Sequence, residues 1–202
     1  GITINYFKYI YSAIIILSIF IIILFTPLIS SNSTISINQI FSYAQNYETV
    51  QSSDTYIWPL PGHTYISSYF GRRSSPTAYA SSYHKGIDIP APEGTCIFAV
   101  ASGTVTMAKF NGSGGCTVVI TNENLSFTYC HVSPTFIVSV GQKVQKGNLI
   151  AYVGPKNLYG FSENIYYDSD GKPTNGATTG SHLHLTISEN GIPVDPLKYV
   201  HT

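Results

Sequence analysis

Short β-forming runs separated by glycine and proline turns fill the chain from Trp58 to its last residue, and this pattern constrains the fold more than any other feature. Five runs have the apolar, β-branched and aromatic character of strands: residues 104–108, 117–120, 127–129, 149–153 and 183–187. Turn signals such as Gly141-Gln142 lie between them. No window of a dozen residues there has a convincing helical period. The sequence therefore predicts a mainly β domain over residues 58–202, an antiparallel β-sheet or sandwich.

An apolar segment precedes this predicted domain. Residues 9–29 are almost entirely apolar, and no charged residue occurs from Tyr9 to Tyr47. About 20 such residues are enough for a helix to cross a bilayer. We interpret 9–29 as a transmembrane helix, with a signal peptide cleaved after Ala44 as the alternative. Lys8 is the charge beside the segment, so the positive-inside rule places residues 1–8 in the cytoplasm.

The expected location of the β domain is therefore outside the cytoplasm. It is anchored in the cell membrane if 9–29 stays in the chain, or secreted if residues 1–44 are removed. Residues 30–57 are rich in Ser, Asn, Gln and Thr, which is typical of a polar linker.

The charge composition excludes one class of partner. Ten basic residues balance ten acidic residues, and no basic run occurs. A chain without a basic patch has no electrostatic means of holding a phosphate backbone, so we expect no nucleic-acid binding.

The three cysteines are an odd number, which excludes a complete disulfide framework. One pair could close outside the cell, but buried free thiols are the favoured interpretation. Cys130 adjoins His131, which raises the alternative of a thiol protease. Alternation along a strand is expected to place these two side chains on opposite faces, which disfavours that alternative.

Five side chains able to bind or assist a metal ion lie in three short motifs: His84-Lys85-Gly86-Ile87-Asp88, His182-Leu183-His184 and the single His131. In extended backbone, His84 and Asp88 share a face, with Gly86 between them leaving space for a metal. The spacing i, i+2 places His182 and His184 on one face of a strand. A lone histidine is usually only packed or exposed, but the combination indicates a site.

The residue types point to metal-dependent hydrolysis. A hydrolytic zinc site takes three protein ligands from His, Asp and Glu and keeps a fourth position open. Five candidate groups exceed that need. The surplus imidazoles suit general acid–base catalysis, because an unperturbed pKa near 6.5 lets them accept or donate a proton at neutral pH.

The chain resembles the lysostaphin/LytM-type zinc metalloendopeptidases in a series of motifs that run in order over nearly all of 58–202. These are Phe70-Gly71-Arg72-Arg73, the stretch from His84 to Thr95, 101–105, Tyr129-Cys130-His131-Val132-Ser133, 140–147, Gly180-Ser181-His182-Leu183-His184 and 194–197. The resemblance implies an antiparallel β fold, the duplicated hybrid motif, and cleavage of peptide links in bacterial cell-wall peptidoglycan.

Carried over by motif position, the resemblance also implies the roles of the five side chains. His84, Asp88 and His184 are the implied ligands of Zn²⁺. His131 and His182 are the implied catalytic pair, which orients water and stabilises or protonates the tetrahedral intermediate. A catalytically silent wall-binding or scaffold module of the same fold, such as a sporulation or division partner, is the alternative. Relatives of that kind typically lose ligands, and none is lost here.

A phosphoryl-carrier domain of the same fold is a third possibility. Such a carrier is cytoplasmic and has no need of the spacing between His84 and Asp88, so the apolar segment and Asp88 disfavour it.

One segment departs from the resembled pattern. Residues 155–179 form a long polar and aromatic insertion before the His182-Leu183-His184 strand, where a short turn is common. We expect it to overhang the site and to influence substrate choice. Its aromatic residues could stack on sugar rings or peptide planes, and Asp168 and Asp170 could pair with a cationic stem residue. The run Asp168-Ser169-Asp170-Gly171 is predicted to be a turn rather than a calcium loop.

Overall fold

The computed structural model describes residues 55–75 and 80–202, and within these ranges the only regular elements are eleven strands and two single-turn 3-10 helices. The strands are β1 (Gly71–Arg72), β2 (Tyr83–His84), β3 (Ile87–Pro90), β4 (Cys96–Phe98), β5 (Gly103–Phe110), β6 (Cys116–Asn122), β7 (Leu125–Cys130), β8 (Lys143–Val144), β9 (Leu149–Tyr152), β10 (His182–Glu189) and β11 (Ile192–Val194). The 3-10 helices span Gly112–Gly114 and Pro196–Lys198. The prediction of a mainly β, antiparallel domain is confirmed.

Seven strands form one antiparallel sheet organised by β10. The order is β11-β10-β7-β6-β5-β8, and β3 pairs with β10 as well. β7 pairs with β10 along one side. The other side of β10 is shared by β3, which pairs with its first half, and β11, which pairs with its second half. Two small sheets, β1–β2 and β4–β9, complete the domain.

All five strand predictions are confirmed to within a few residues at their ends. Burial in β10 follows the alternation of its sequence: Leu183, Leu185 and Ile187 are fully buried, while His182 and His184, which alternate with them, are partly exposed. One face of β10 therefore packs into the core and the other presents imidazoles.

A single apolar core joins the main sheet to the small β4–β9 sheet, since Ile97 and Ile150 belong to the same buried cluster as Leu183. The phenol of Tyr129 crosses this core and accepts a hydrogen bond from the backbone N–H of Val100 (2.8 Å). Burying a hydroxyl without a partner would cost about 1–3 kcal/mol, so this bond makes the buried tyrosine tolerable.

Gly86 is required by the backbone rather than by a metal. A Cβ at this position would lie 2.2 Å from the carbonyl oxygen of Leu185 in β10. The glycine therefore lets the β2–β3 connection approach β10 closely. The sequence-based expectation that its missing side chain leaves space for a metal is wrong, although the close approach does bring His84 near β10.

Tyr56 and Ile57, the last two residues of the predicted linker, pack with the domain. The N–H of Ile57 donates to the carbonyl of Val100 (3.0 Å), and the Tyr56 ring meets that of Tyr199 edge-on at 5.1 Å between centroids.

The predicted cytoplasmic end, membrane segment and most of the linker, residues 1–54, lie outside the described residues. Within 55–75 and 80–202, no helix has both the length and the apolar character needed to cross a bilayer.

Candidate active site

Three predicted site residues converge on one face of the main sheet. His184 in β10 lies directly opposite Asp88 in β3, and residues paired in this way across antiparallel strands have side chains on the same face. His84 is the last residue of β2 and lies four positions before Asp88 in the sequence. His184 Nδ1 lies 2.8 Å from Asp88 Oδ1 and 2.9 Å from His84 Nε2, and the latter two atoms are 3.1 Å apart. The three side chains could hold a metal ion.

The spacing of these atoms suits zinc. Ligand atoms at about 2.0–2.1 Å from a tetrahedral zinc stand about 3.4 Å from one another. The observed separations of 2.8–3.1 Å would have to widen only slightly. A small adjustment of side-chain torsions can supply that movement.

The protonation of His84 also favours a cation between these atoms. Its Nδ1 lies 2.9 Å from the carbonyl oxygen of Tyr69, which can only accept, so the ring proton is on Nδ1. Nε2 then directs a lone pair at the Asp88 carboxylate 3.1 Å away. Two lone pairs facing each other at that distance repel unless a cation or a proton lies between them. The donor set therefore fits a metal ion.

His184 has its second ring nitrogen occupied as well. Nε2 lies 2.9 Å from the hydroxyl of Thr186, two residues further along β10 on the same face. A hydrogen bond at the far nitrogen fixes the orientation of a ligating imidazole. Burial lowers the pKa of His184, and the neighbouring Asp88 only partly offsets it. The ring is therefore neutral at neutral pH, which is the form that binds metals.

The Asp88 carboxylate is held in its charged form. Burial acts to raise its pKa, but the imidazoles of His182, His184 and His84 beside the carboxylate outweigh burial and hold the pKa well below its usual range. Its second oxygen, Oδ2, accepts a hydrogen bond from Arg73 Nη1 at 2.9 Å.

His131 lies just beyond the end of β7, with a backbone φ of 58°. The left-handed region costs a non-glycine residue about 1–3 kcal/mol. Hydrogen bonds to the surrounding backbone hold it there: its N–H donates to Gly114 (2.8 Å), and its carbonyl accepts from Gly154 (2.9 Å). Its Nδ1 donates to the backbone carbonyl of Asn175 (2.6 Å), so Nε2 is the free ring nitrogen.

His182 lies beside His131, with 4.7 Å between ring centroids. Its Nδ1 donates to the carbonyl of Gly180 (2.8 Å), and its Nε2 is 3.6 Å from Asp88 Oδ1. The pKa of His131 lies well below its usual value, mainly because the ring is buried and secondly because His182 and His184 are close to it. Because its Nδ1 proton is engaged, neutral His131 presents a proton-accepting Nε2.

The alternation argument about Cys130 and His131 is wrong. Cys130 is paired with His184 across β7 and β10, so its side chain is on the site face. Since His131 leaves the strand in the left-handed region, its side chain does not alternate away, and both residues line the same cavity. A thiol mechanism is disfavoured for another reason, because burial raises the pKa of Cys130 to about 12. All three cysteines are free.

The five side chains line two lobes of a cleft. The larger lobe has a volume of about 570 Å³ and is rich in hydroxyl groups, such as those of Ser68 and Thr178. The smaller lobe has a volume of about 300 Å³ and includes Tyr83 and Lys85. Four residues line both lobes: Arg73, His131, Ala177 and His184.

The insertion at 155–179 is folded back on itself. Bridges pair Asn157 with Thr174 and Tyr167 with Pro173, and the N–H of Leu158 donates to the carbonyl of Pro173 (2.9 Å). Its last residues, 177–179, line the larger lobe. The segment is therefore an ordered excursion whose returning end reaches the cleft.

Asp168 closes the tip of this excursion, as the predicted turn requires. Its Oδ1 accepts from the backbone N–H groups of Asp170 (3.1 Å) and Lys172 (2.9 Å), and its Oδ2 lies 3.0 Å from Lys156 Nζ. These contacts lower the pKa of Asp168 below its usual range, and the hydrogen bond from the Lys172 N–H contributes most. The carboxylate is therefore used within the segment, and the suggestion that it pairs with a substrate cation is wrong.

The four aromatic residues of the insertion divide into two pairs. Phe161 packs on Phe110 with 5.2 Å between centroids, and Tyr166 is partly buried against the core. Tyr159 and Tyr167 are exposed by 64% and 50%. None of the four is among the residues that line the two lobes. The exposed pair therefore faces solvent outside the cleft.

Asn175 is a site residue that the sequence did not reveal. It is fully buried, its Oδ1 accepts from the N–H of Cys116 (2.8 Å), and its Nδ2 donates to the carbonyl of Val132 (2.9 Å). Its own carbonyl holds His131. No local signal could have shown a contact between residues 44 positions apart. Thr186, in contrast, could have been predicted from the sequence, because strand alternation alone places its side chain on the same face as that of His184.

Comparison with known proteins gives a consistent result. A sequence model described as Peptidase family M23 matches residues 82–196, which include all five side chains. The chain is 34% identical over 136 residues to the DD-carboxypeptidase/endopeptidase Mpg of Neisseria gonorrhoeae, covering 67% of this chain and 27% of that protein. It is 32% identical over 143 residues to the peptidoglycan DD-endopeptidase ShyA of Vibrio cholerae, covering 70% and 29%.

The fold is also found in solved structures. That of a zinc containing peptidase from Vibrio cholerae has a TM-score of 0.54 and 26% sequence identity, covering 70% of this chain and 38% of that one. The chain spans less than a third of the length of the two sequence relatives.

Proposed function

This chain belongs to peptidase family M23, and from that premise we propose that it is a zinc-dependent endopeptidase that hydrolyses peptide bonds in bacterial cell-wall peptidoglycan. In this proposal His84, Asp88 and His184 are the metal ligands, and His131 and His182 are the catalytic residues. The observation that carries it is the convergence of the lone pairs of His84 Nε2 and Asp88 Oδ1, 3.1 Å apart, beside His184 Nδ1.

The other two histidines of the site, His131 and His182, have the arrangement that proton transfer needs. Each donates its Nδ1 proton to a backbone carbonyl, that of Asn175 for His131 and that of Gly180 for His182. In the neutral form each therefore keeps an unprotonated Nε2 able to accept a proton from water. Once protonated, the same atom can donate the proton to the leaving amine. Bound zinc would supply a Lewis acid that polarises the scissile carbonyl and acidifies water.

The cleft is consistent with a peptide polymer as the substrate. Two cavities adjoin the His cluster and share part of their lining, which leaves room for a chain to extend beyond the proposed ligands. The relatives named as peptidoglycan or DD-endopeptidases support the cell wall as the source of that chain. We further propose that residues 9–29 hold the domain at the outer side of the membrane, near this substrate, on the strength of their apolar sequence.

The proposal is tested by incubating the purified chain with peptidoglycans that differ in their cross-links and identifying the released ends by mass spectrometry. We expect new peptide termini with at least one wall type, none after removal of zinc by a chelator, and recovery when zinc is restored. If no wall type yields new termini from zinc-loaded protein, the chain is not the proposed hydrolase. Sedimentation with insoluble wall in that case would identify the alternative, a silent binding module of the same fold.

A further inference from the structure

Arg73 makes a direct contact with one of the proposed ligands. Its Nη1 donates to Asp88 Oδ2 at 2.9 Å and to the hydroxyl of Ser68 at 2.6 Å. The Arg73 and Asp88 side chains are only 21% and 14% exposed. A charge-assisted hydrogen bond that is shielded from water is stronger than an exposed ion pair. The contact is therefore able to fix the carboxylate.

Ser68 extends this contact to a second proposed ligand. Its hydroxyl lies 3.2 Å from His84 Nδ1, and its backbone carbonyl accepts the N–H of Asp88 (2.9 Å). Arg73 and Ser68 together thus reach the outer side of both Asp88 and His84. His184 has its own outer partner in Thr186.

The position of the Arg73 guanidinium is energetically unfavourable in one respect. The Nε of Arg73 is buried and has no hydrogen-bond partner among the described residues. An unpaired buried donor costs about 1–3 kcal/mol. A side chain retained in this position despite that cost suggests a role beyond packing.

We infer that Arg73 is a positioning residue for the proposed metal centre. It occupies Asp88 Oδ2, so that Oδ1 alone is directed towards His84 and His184, and through Ser68 it restrains the His84 ring. The inference rests on the proposed function, because it concerns how the ligands of that site are oriented. Nothing in it requires Arg73 to touch the substrate.

The test compares Arg73→Ala, Arg73→Lys and the wild-type chain, with Arg72→Ala as the matched control. Arg72 is the adjacent residue of the same type, and it is exposed. Zinc affinity is measured by competition with a chromophoric chelator. The visible spectrum of the Co²⁺-substituted chain reports the coordination number, since band intensity falls as the number of ligand atoms rises. Neither measurement depends on catalysis.

We expect Arg73→Ala to lower the zinc affinity by about 10- to 100-fold, the usual effect of removing an outer partner of a metal ligand. Its Co²⁺ spectrum is expected to change, because the freed Oδ2 can then approach the metal. Arg73→Lys should be intermediate, since an ammonium keeps the charge but not the planar geometry. Arg72→Ala should match the wild type.

The outcomes separate this inference from the proposed function. A wild-type chain that binds no zinc contradicts the proposed function whatever Arg73 does. A wild type that binds zinc, with Arg73→Ala equal to it in affinity and Co²⁺ spectrum, overturns the positioning role and leaves the proposed function standing. If Arg73→Ala does not fold, Arg73→Lys decides: a weaker affinity supports the role, and an unchanged one rejects it.

Discussion

The Nδ1–H of His131 donates a hydrogen bond to the backbone carbonyl of Asn175 across 2.6 Å. Asn175 lies near the returning end of the insertion, and its side chain bonds the backbone of Val132, the residue after His131, and that of Cys116 at the start of β6. The insertion therefore contributes to the site through the orientation of His131 and not only through its surface. Removing the insertion up to Asn175 would also displace His131, a proposed catalytic residue, so point variants are the better tests.

Asn175→Ala is expected to lower kcat by about 10²-fold with zinc content unchanged, since a displacement of a catalytic group by about 1 Å has an effect of that size. The variant also leaves the Cys116 N–H and the Val132 carbonyl without their partner, at about 1–3 kcal/mol each. Asn164→Ala is the control, because buried Asn164 bonds the Thr174 carbonyl (2.7 Å) without touching a site residue. It should lower the melting temperature but keep kcat. If kcat is the same in both variants, Asn175 has no role in orienting His131.

His184→Ala and Asp88→Ala are expected to lose zinc and activity together. The proposed ligands come from segments about a hundred residues apart in sequence that meet only in the folded state, so zinc should also stabilise the fold. At a free zinc concentration 100 times the Kd, the stabilisation is about 2.7 kcal/mol. Elemental analysis and thermal melting with and without zinc measure both effects, with His201→Ala, at an exposed position, as the control. Full zinc occupancy in either ligand variant would contradict the assignment.

His131→Ala and His182→Ala are expected to separate catalysis from metal binding. Each should retain close to one zinc per chain and lose about 10²-fold or more in kcat, the usual contribution of acid–base catalysis. Steady-state kinetics on a soluble cross-linked peptide, together with zinc analysis of the same samples, tests the assignment. A zinc-free variant would show that the altered residue is a ligand.

The buried thiols are expected to be unreactive in the native chain. Burial raises the pKa of Cys116 and of Cys130 to about 12. At pH 8 roughly one thiol in ten thousand is then ionised, and the thiolate is the reactive form. Iodoacetamide should label the partly exposed Cys96 first. The Cys130→Ser variant should have the same peptidase activity as the wild type. Rapid inactivation that Cys130→Ser abolishes would revive the thiol-protease alternative.

The anchor prediction is tested on the whole chain in membranes. If residues 9–29 span the bilayer, the protein should resist extraction with alkaline carbonate, and protease added outside intact cells should release the β domain. A soluble form that begins near Gln45 would show a cleaved signal peptide instead.

The strands could be predicted because their burial pattern is local. A run such as Leu183-His184-Leu185 specifies which side chains face the core as soon as its extended conformation is recognised. Gly86 shows where this reasoning failed, because a glycine midway between His84 and Asp88 looks the same in sequence whether it faces a metal or a neighbouring strand.

The sequence by itself determined the β class of the domain, the shared face of His182 and His184, and the residue types of a candidate metal site, because these depend on neighbours within a few positions. Only the tertiary structure decided that Asp88 lies opposite His184, that Arg73 holds the far oxygen of Asp88, and that Asn175 holds His131. The physical reason is that strand register and a left-handed residue at a strand end bring together groups from 15 to about 100 positions apart. Such pairings are set by packing of the whole sheet, and no local pattern encodes them.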